Sequence, residues 1–136
     1  MQTFLPYNDF KKTAACLDNR RLGKQRVEAY QILRIISGKR TSGGWLRHPA
    51  VLMWKGFSDA LAAYQNSMIT EWIDRGFNNT MELAEHEEIY KLPPFMGANK
   101  FHESHRSNLL RKDFEFYSKF GWNVPNNLPY VWPVTT

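Results

Sequence analysis

Apolar residues recur at intervals of three and four in three long stretches of the chain. In the first, Leu22, Ala29, Leu33 and Ile36 share one face at 3.6 residues per turn, with Ile32 beside them. Asp18, Arg21, Gln25 and Glu28 share another face, with Lys24 adjacent. Asp18 is placed to cap this helix and Gly38 to end it. In the second stretch, Val51, Trp54, Phe57, Leu61, Tyr64, Met68 and Trp72 form a stripe that starts at His48-Pro49 and stops at Arg75-Gly76. This predicts the longest helix and the spine of the core, because an aromatic stripe at helical spacing is core before it is a ligand platform. The third, His102 to Asp113, is polar and cationic, continues or restarts through Phe114 to Phe120, and stops at Gly121.

Shorter signals fill the gaps. Pro6 disfavours helix at Leu5, so the chain begins extended. Asp9 caps a short helix from Phe10 to Leu17. Met81 to Tyr90 predicts a short, exposed acidic helix ended by Pro93-Pro94, and Lys39 to Gly44 a flexible basic loop. Trp122 to Pro133 alternates aromatic residues and prolines, which suits a tail laid over the core without regular structure. There is no strand-like alternation of useful length, no repeat and no interdomain linker. The expectation is an all-α fold: one compact domain over residues 1–136, with three main helices, several short ones and an extended aromatic and proline-rich C-terminal tail.

A chain of 136 residues can bury a core of its own. Its single cysteine, Cys16, leaves no intramolecular disulfide, which suits a reducing compartment. No apolar run approaches the roughly 20 residues of a membrane span, and the N-terminus lacks a basic-then-apolar export pattern. A cytoplasmic, nucleoid-associated location is expected, or a host's cytoplasm for a viral protein. Charge is unevenly spread. Residues 1–56 hold eleven Lys/Arg against three Asp/Glu, whereas residues 57–99 hold two against seven. A basic end and an acidic middle point to one surface that faces a polyanion.

Site grammars narrow the chemistry. His102 and His105 stand three apart, with Cys16 and His48 elsewhere, and nothing resembles a zinc signature. No glycine-rich phosphate loop follows a strand, and Ser107 beside His105 lacks the context of a nucleophile. The cationic helix with its embedded carboxylate remains. Glu28 reads either as an ion-pair partner of Arg21 or Lys24, or as a carboxylate that stabilises positive charge on a sugar ring when a glycosidic bond breaks. In the second reading Arg20, Arg21, Gln25, Arg26, Lys39 and Arg40 hold the DNA backbone. His105, Arg106, Asn108, Arg111 and Lys112 form either a second wall of that groove or a solvated helix face.

Several segments together resemble the pyrimidine-dimer DNA glycosylases of the phage endonuclease V type, in their bacterial and viral branch. They are Leu17-Asp18 through Glu28, Trp45 to Gly56 with His48-Pro49, Glu71 to Asn78, Ser104 to Lys112, and Tyr117 to Trp122. The resemblance implies an all-α enzyme that needs neither metal nor cofactor. In that family the N-terminal α-amine attacks the sugar of the damaged nucleotide, a Schiff base forms, and β-elimination nicks the strand with an essential glutamate. Carried over by position, the family's arginine falls on Arg26 and its glutamate on Val27, so Glu28, one place on, is the nominated carboxylate. Residue 2 is Gln, too large for ordinary removal of Met1, so the Met1 amine is the candidate nucleophile. Lys24 is the second candidate, since cationic neighbours favour a neutral amine. The implied partner is double-stranded DNA bearing a damaged or modified pyrimidine, bound by a monomer. The alternative is a non-catalytic DNA-binding module on the same scaffold.

Overall fold

The computed structural model describes residues 1–133. They form α1 (Phe10–Cys16), α2 (Asn19–Ile36), α3 (Pro49–Leu52), α4 (Ser58–Asp74), α5 (Asn99–Lys112) and α6 (Phe114–Tyr117), followed by a 3-10 turn at Ser118–Phe120. The expected all-α fold and three main helices are present as α2, α4 and α5, and no strand occurs among the described residues. No described helix is long and apolar enough to cross a membrane.

The caps explain the boundaries. The Asp9 side chain accepts from Lys12 N–H at 2.7 Å to start α1. The Asp18 side chain accepts from Arg21 N–H at 3.3 Å to start α2. Asp18 also accepts from the Tyr117 hydroxyl and returns its own N–H to that oxygen at 3.1 Å, which fastens the start of α2 to α6. Burial raises the Asp18 carboxyl pKa, but the bonds from Tyr117 and Arg21 outweigh it and hold the group below its ordinary value. Arg75 at the end of α4 joins three helices: it bonds Glu71 at 2.9 Å, Asn19 Oδ1 at 2.8 Å, and the C-terminal carbonyls of α1 at 3.1 and 3.2 Å.

Two predicted helices are corrected. The stripe from His48 does not run unbroken to Arg75. It divides into the single turn of α3, with His48 as N-cap and Pro49 in the first turn, and the 17-residue α4. Between them Gly56 takes φ +88°, a left-handed conformation that ends the first turn and redirects the chain. The apolar spacing is blind to this break, since Val51, Met53 and Trp54 are buried on its near side and Leu61, Tyr64 and Met68 beyond it. The acidic helix expected over Met81 to Tyr90 is also absent. Asn66 pairs with Ala84 as a peptide would, donating from Nδ2 to its carbonyl and accepting from its N–H, both at 2.8 Å. That pairing keeps the segment extended, where a helix would crowd Glu85, Glu87 and Glu88.

The core gathers Trp54, Tyr64, Phe101, Tyr117 and the aliphatic faces of α2 and α4. Those two helices approach closely at Gly23, where a Cβ would lie 2.8 Å from the Trp72 ring. Through the middle runs something other than a helix. Residues 3–5 are extended and almost wholly buried, with Thr3 and Leu5 at 0% exposure.

Candidate active site

An extended segment inside a helical bundle has no neighbouring strand, so its N–H and C=O groups need partners from side chains. The polar residues buried on α2, α4 and α5 supply them. Gln25, 1% exposed, uses both ends of its amide. Its Nε2 donates to the Gln2 carbonyl at 3.0 Å and to Glu28 Oε2 at 3.1 Å, and its Oε1 accepts from Phe4 N–H at 3.0 Å. The Tyr64 hydroxyl lies 2.8 Å from the Phe4 carbonyl and 2.7 Å from Gln25 Oε1, with one proton to share between them. Burial, with the charge of Glu28, raises the pKa of that hydroxyl far above its ordinary range, so it stays a donor.

The histidines of α5 continue the pattern. His105 Nδ1 accepts from Leu5 N–H at 2.9 Å, and His102 Nδ1 donates to the Leu5 carbonyl at 2.7 Å while its Nε2 accepts from Gly97 N–H. Both tautomers are fixed by these partners, and both rings are neutral. Burial drives His105 down to about 3 and also lowers His102. Arg106 Nε completes the set with a 2.8 Å bond to the Pro6 carbonyl. Trp54 Nε1 reaches the Thr3 hydroxyl at 3.0 Å.

The result is a placed N-terminus. Glu28 Oε2 accepts from the backbone N–H of Gln2 at 3.0 Å, so the carboxylate sits beside the first peptide bond. Around them opens a cleft of about 390 Å³, whose walls include Met1, Arg20, Arg21, Lys24, Lys112 and Trp132. Partial burial, and then the charges of Arg21, Arg111 and Lys24, hold Lys112 below its ordinary pKa, while Glu28 pulls it upward. The cleft is therefore a cationic mouth around one carboxylate and the α-amine of Met1.

Of the residues singled out by sequence, Met1, Arg20, Arg21, Lys24, Gln25, Glu28 and Lys112 converge here. Val27 lies on another face of α2 and is exposed, whereas Glu28 faces the N-terminus. The others lie apart. Arg26 stacks over Trp72 at 4.3 Å and donates to Asn79 Oδ1 at 2.6 Å. Lys39 lines a different cleft beside Tyr30 and Arg34, and Arg40 folds back to bond the Ser42 carbonyl. His105 and Asn108, expected on a groove wall or a solvated helix face, are on neither: they are buried at 1% and 0% exposure. Asn108 Nδ2 bonds the carbonyls of Ser104 and Leu128, and Arg111 reaches toward the carbonyls of Asn126 and Leu128, so this face of α5 holds the tail. Sequence reasoning missed Gln2, Phe4, Tyr130 and Trp132 as parts of the cleft. Cys16 is buried, and burial pushes its thiol up to about 12, which leaves it inert.

A family model described as pyrimidine dimer DNA glycosylase matches residues 1–85, which include the N-terminal segment and all of α2. The chain belongs to the pyrimidine dimer DNA glycosylase family. No curated protein and no solved structure matches it. Membership makes DNA the substrate and cleavage of a base–sugar bond the reaction class. The matched residues carry Met1, Gln25 and Glu28. Lys112, Tyr130 and Trp132 are added to the cleft by the part of this glycosylase beyond the match.

Proposed function

We propose that this glycosylase releases a damaged or modified pyrimidine and nicks the strand at the resulting site through an imine on the α-amine of Met1, with Glu28 as the catalytic carboxylate. The bond from Gln2 N–H to Glu28 Oε2 is the observation that carries this reading, because it holds a carboxylate beside the amine within a cationic cleft. Arg20, Arg21, Lys24 and Lys112 hold phosphates, and the damaged nucleotide leaves the stack at a cost of a few kcal/mol.

The neutral amine attacks C1′, and the bond to the base breaks with its electron pair leaving on the base, which takes up a proton. Glu28 stabilises the cationic sugar as that bond lengthens. The nitrogen lone pair then breaks the C1′–O4′ bond, O4′ takes up a proton from solvent, and the iminium forms. Glu28 then takes a proton from C2′, the electrons expel the 3′ phosphate, and water hydrolyses the imine to return the amine. Lys24, in the same cleft, is the alternative amine.

Borohydride trapping on a duplex with an abasic site or a pyrimidine dimer tests this. A covalent adduct is expected, and selective acetylation of the α-amine should abolish it. An adduct that survives acetylation and maps to Lys24 moves the nucleophile. Neither adduct nor base release across a panel of lesions overturns the enzymatic reading and leaves a non-catalytic DNA-binding module.

A further inference from the structure

The rim of the cleft continues into a row of aromatic rings that the reaction above does not use. Tyr130 and Trp132 both line the cleft, with ring centroids 5.7 Å apart. Trp132 meets His48 edge to face at 5.8 Å and 82°, and His48 lies 5.4 Å from Trp45. Trp45 ends the row, 44% exposed.

The outer rings are fixed by their backbone. His48 N–H donates to the Trp45 carbonyl at 3.1 Å, closing a turn that sets one ring against the other. His48 Nδ1 accepts from Ala50 N–H at 3.0 Å, so the neutral ring carries its proton on Nε2. Just upstream, Gly43 takes φ +124°, and the Arg40 guanidinium occupies the space a Cβ would need. A φ of +124° is one that side-chain-bearing residues rarely adopt, so the loop that presents Trp45 is built around a glycine.

We propose that Trp45, backed by His48 and Trp132, is a stacking face for a nucleobase unstacked from the DNA beside the scissile nucleotide. This rests on the reading of the cleft as the place where that nucleotide is held. The row is continuous with the cleft wall, so a base on Trp45 is a near neighbour of one inside the cleft. An indole offers a π-face that every base can use. Arg47, two places from Trp45 and exposed, supplies a cation for a phosphate beside that base. Drawing one nucleotide into the cleft breaks the stack on both sides, which leaves an adjacent base in need of a new partner.

The test is affinity for a duplex that holds a stable abasic analogue with one unpaired nucleotide next to it. Trp45→Ala is expected to bind this duplex roughly 5- to 150-fold more weakly, the loss typical of one base–aromatic stack, while Trp45→Phe keeps most of the affinity. When the unpaired nucleotide itself lacks a base, Trp45→Ala and the unchanged protein should bind alike. A loss of less than about twofold, or an equal loss with and without the base, overturns the proposal. Because binding needs no turnover, the outcomes separate: insensitivity to Trp45 with tight binding sinks this inference alone, whereas no preference for abasic DNA sinks the reading of the cleft as well.

Discussion

The backbone N–H of Gln2 donates to Glu28 Oε2 at 3.0 Å across 26 residues of sequence. One carboxylate oxygen receives that bond and the one from Gln25, which fixes Glu28 at the start of the chain instead of leaving it to pair with Arg21. Arg21 pairs with Asp18 at 3.2 Å.

Glu28→Gln is therefore expected to fold and bind DNA, since an amide oxygen can accept the same two bonds. It cannot take a proton from C2′ or offset a cationic sugar, so turnover should fall by about 10²- to 10⁴-fold. Single-turnover kinetics beside a binding isotherm checks this; a variant that cleaves at the normal rate removes Glu28 from the chemistry.

Gln25→Leu tests the support beneath the site. It leaves Phe4 N–H and the Gln2 carbonyl without Gln25, and each buried polar group so orphaned costs about 1–3 kcal/mol. Urea unfolding should show a loss of about 2–5 kcal/mol. A change below about 0.5 kcal/mol would mean that the N-terminal segment does not depend on this amide.

Acid should weaken the fold through His105. Its folded pKa is about 3 and its ordinary value 6.5, so between these the unfolded chain binds a proton that the folded chain refuses. Stability is expected to fall as pH drops below about 6.5, by about 1.4 kcal/mol per unit from this group, with His102 acting in the same direction. His105→Asn, whose oxygen can accept from Leu5 N–H, should be less stable at pH 7 yet lose stability less steeply on acidification. Urea midpoints at pH 7, 6 and 5 measure the slope, and an unchanged slope would place the acid sensitivity elsewhere.

Two cations four or fewer residues from Glu28 should behave differently. Lys24→Ala removes a cleft cation, and the plot of log affinity against log salt should become shallower by about 0.9. Arg26→Ala removes a guanidinium stacked on Trp72, so the slope should hold while stability falls by roughly 0.5–2 kcal/mol. Equal effects of both variants on the salt slope would place Arg26 against DNA too.

Much of this was legible in the sequence. Asp9 and Asp18 announced two helix starts, and the charged face of α2 announced the cleft. What was hidden depends on contacts distant in sequence. Gln25, His102 and His105 look like surface polar residues in a cationic helix, and only the path of residues 1–6 between the helices reveals why they are buried. The same holds for Asn66, whose pairing with Ala84 replaces the helix expected over Met81 to Tyr90. Tyr130 and Trp132 read as core cover because nothing local ties the tail to Met1.

The buried segment ties chemistry to architecture at one end of the chain. Residues placed ahead of Met1, such as an affinity tag, would emerge into the cleft and occupy it while the helices packed as before. Under the proposed α-amine mechanism such a protein would pass every test of folding and still fail on DNA, so purification handles for this glycosylase belong at the other terminus.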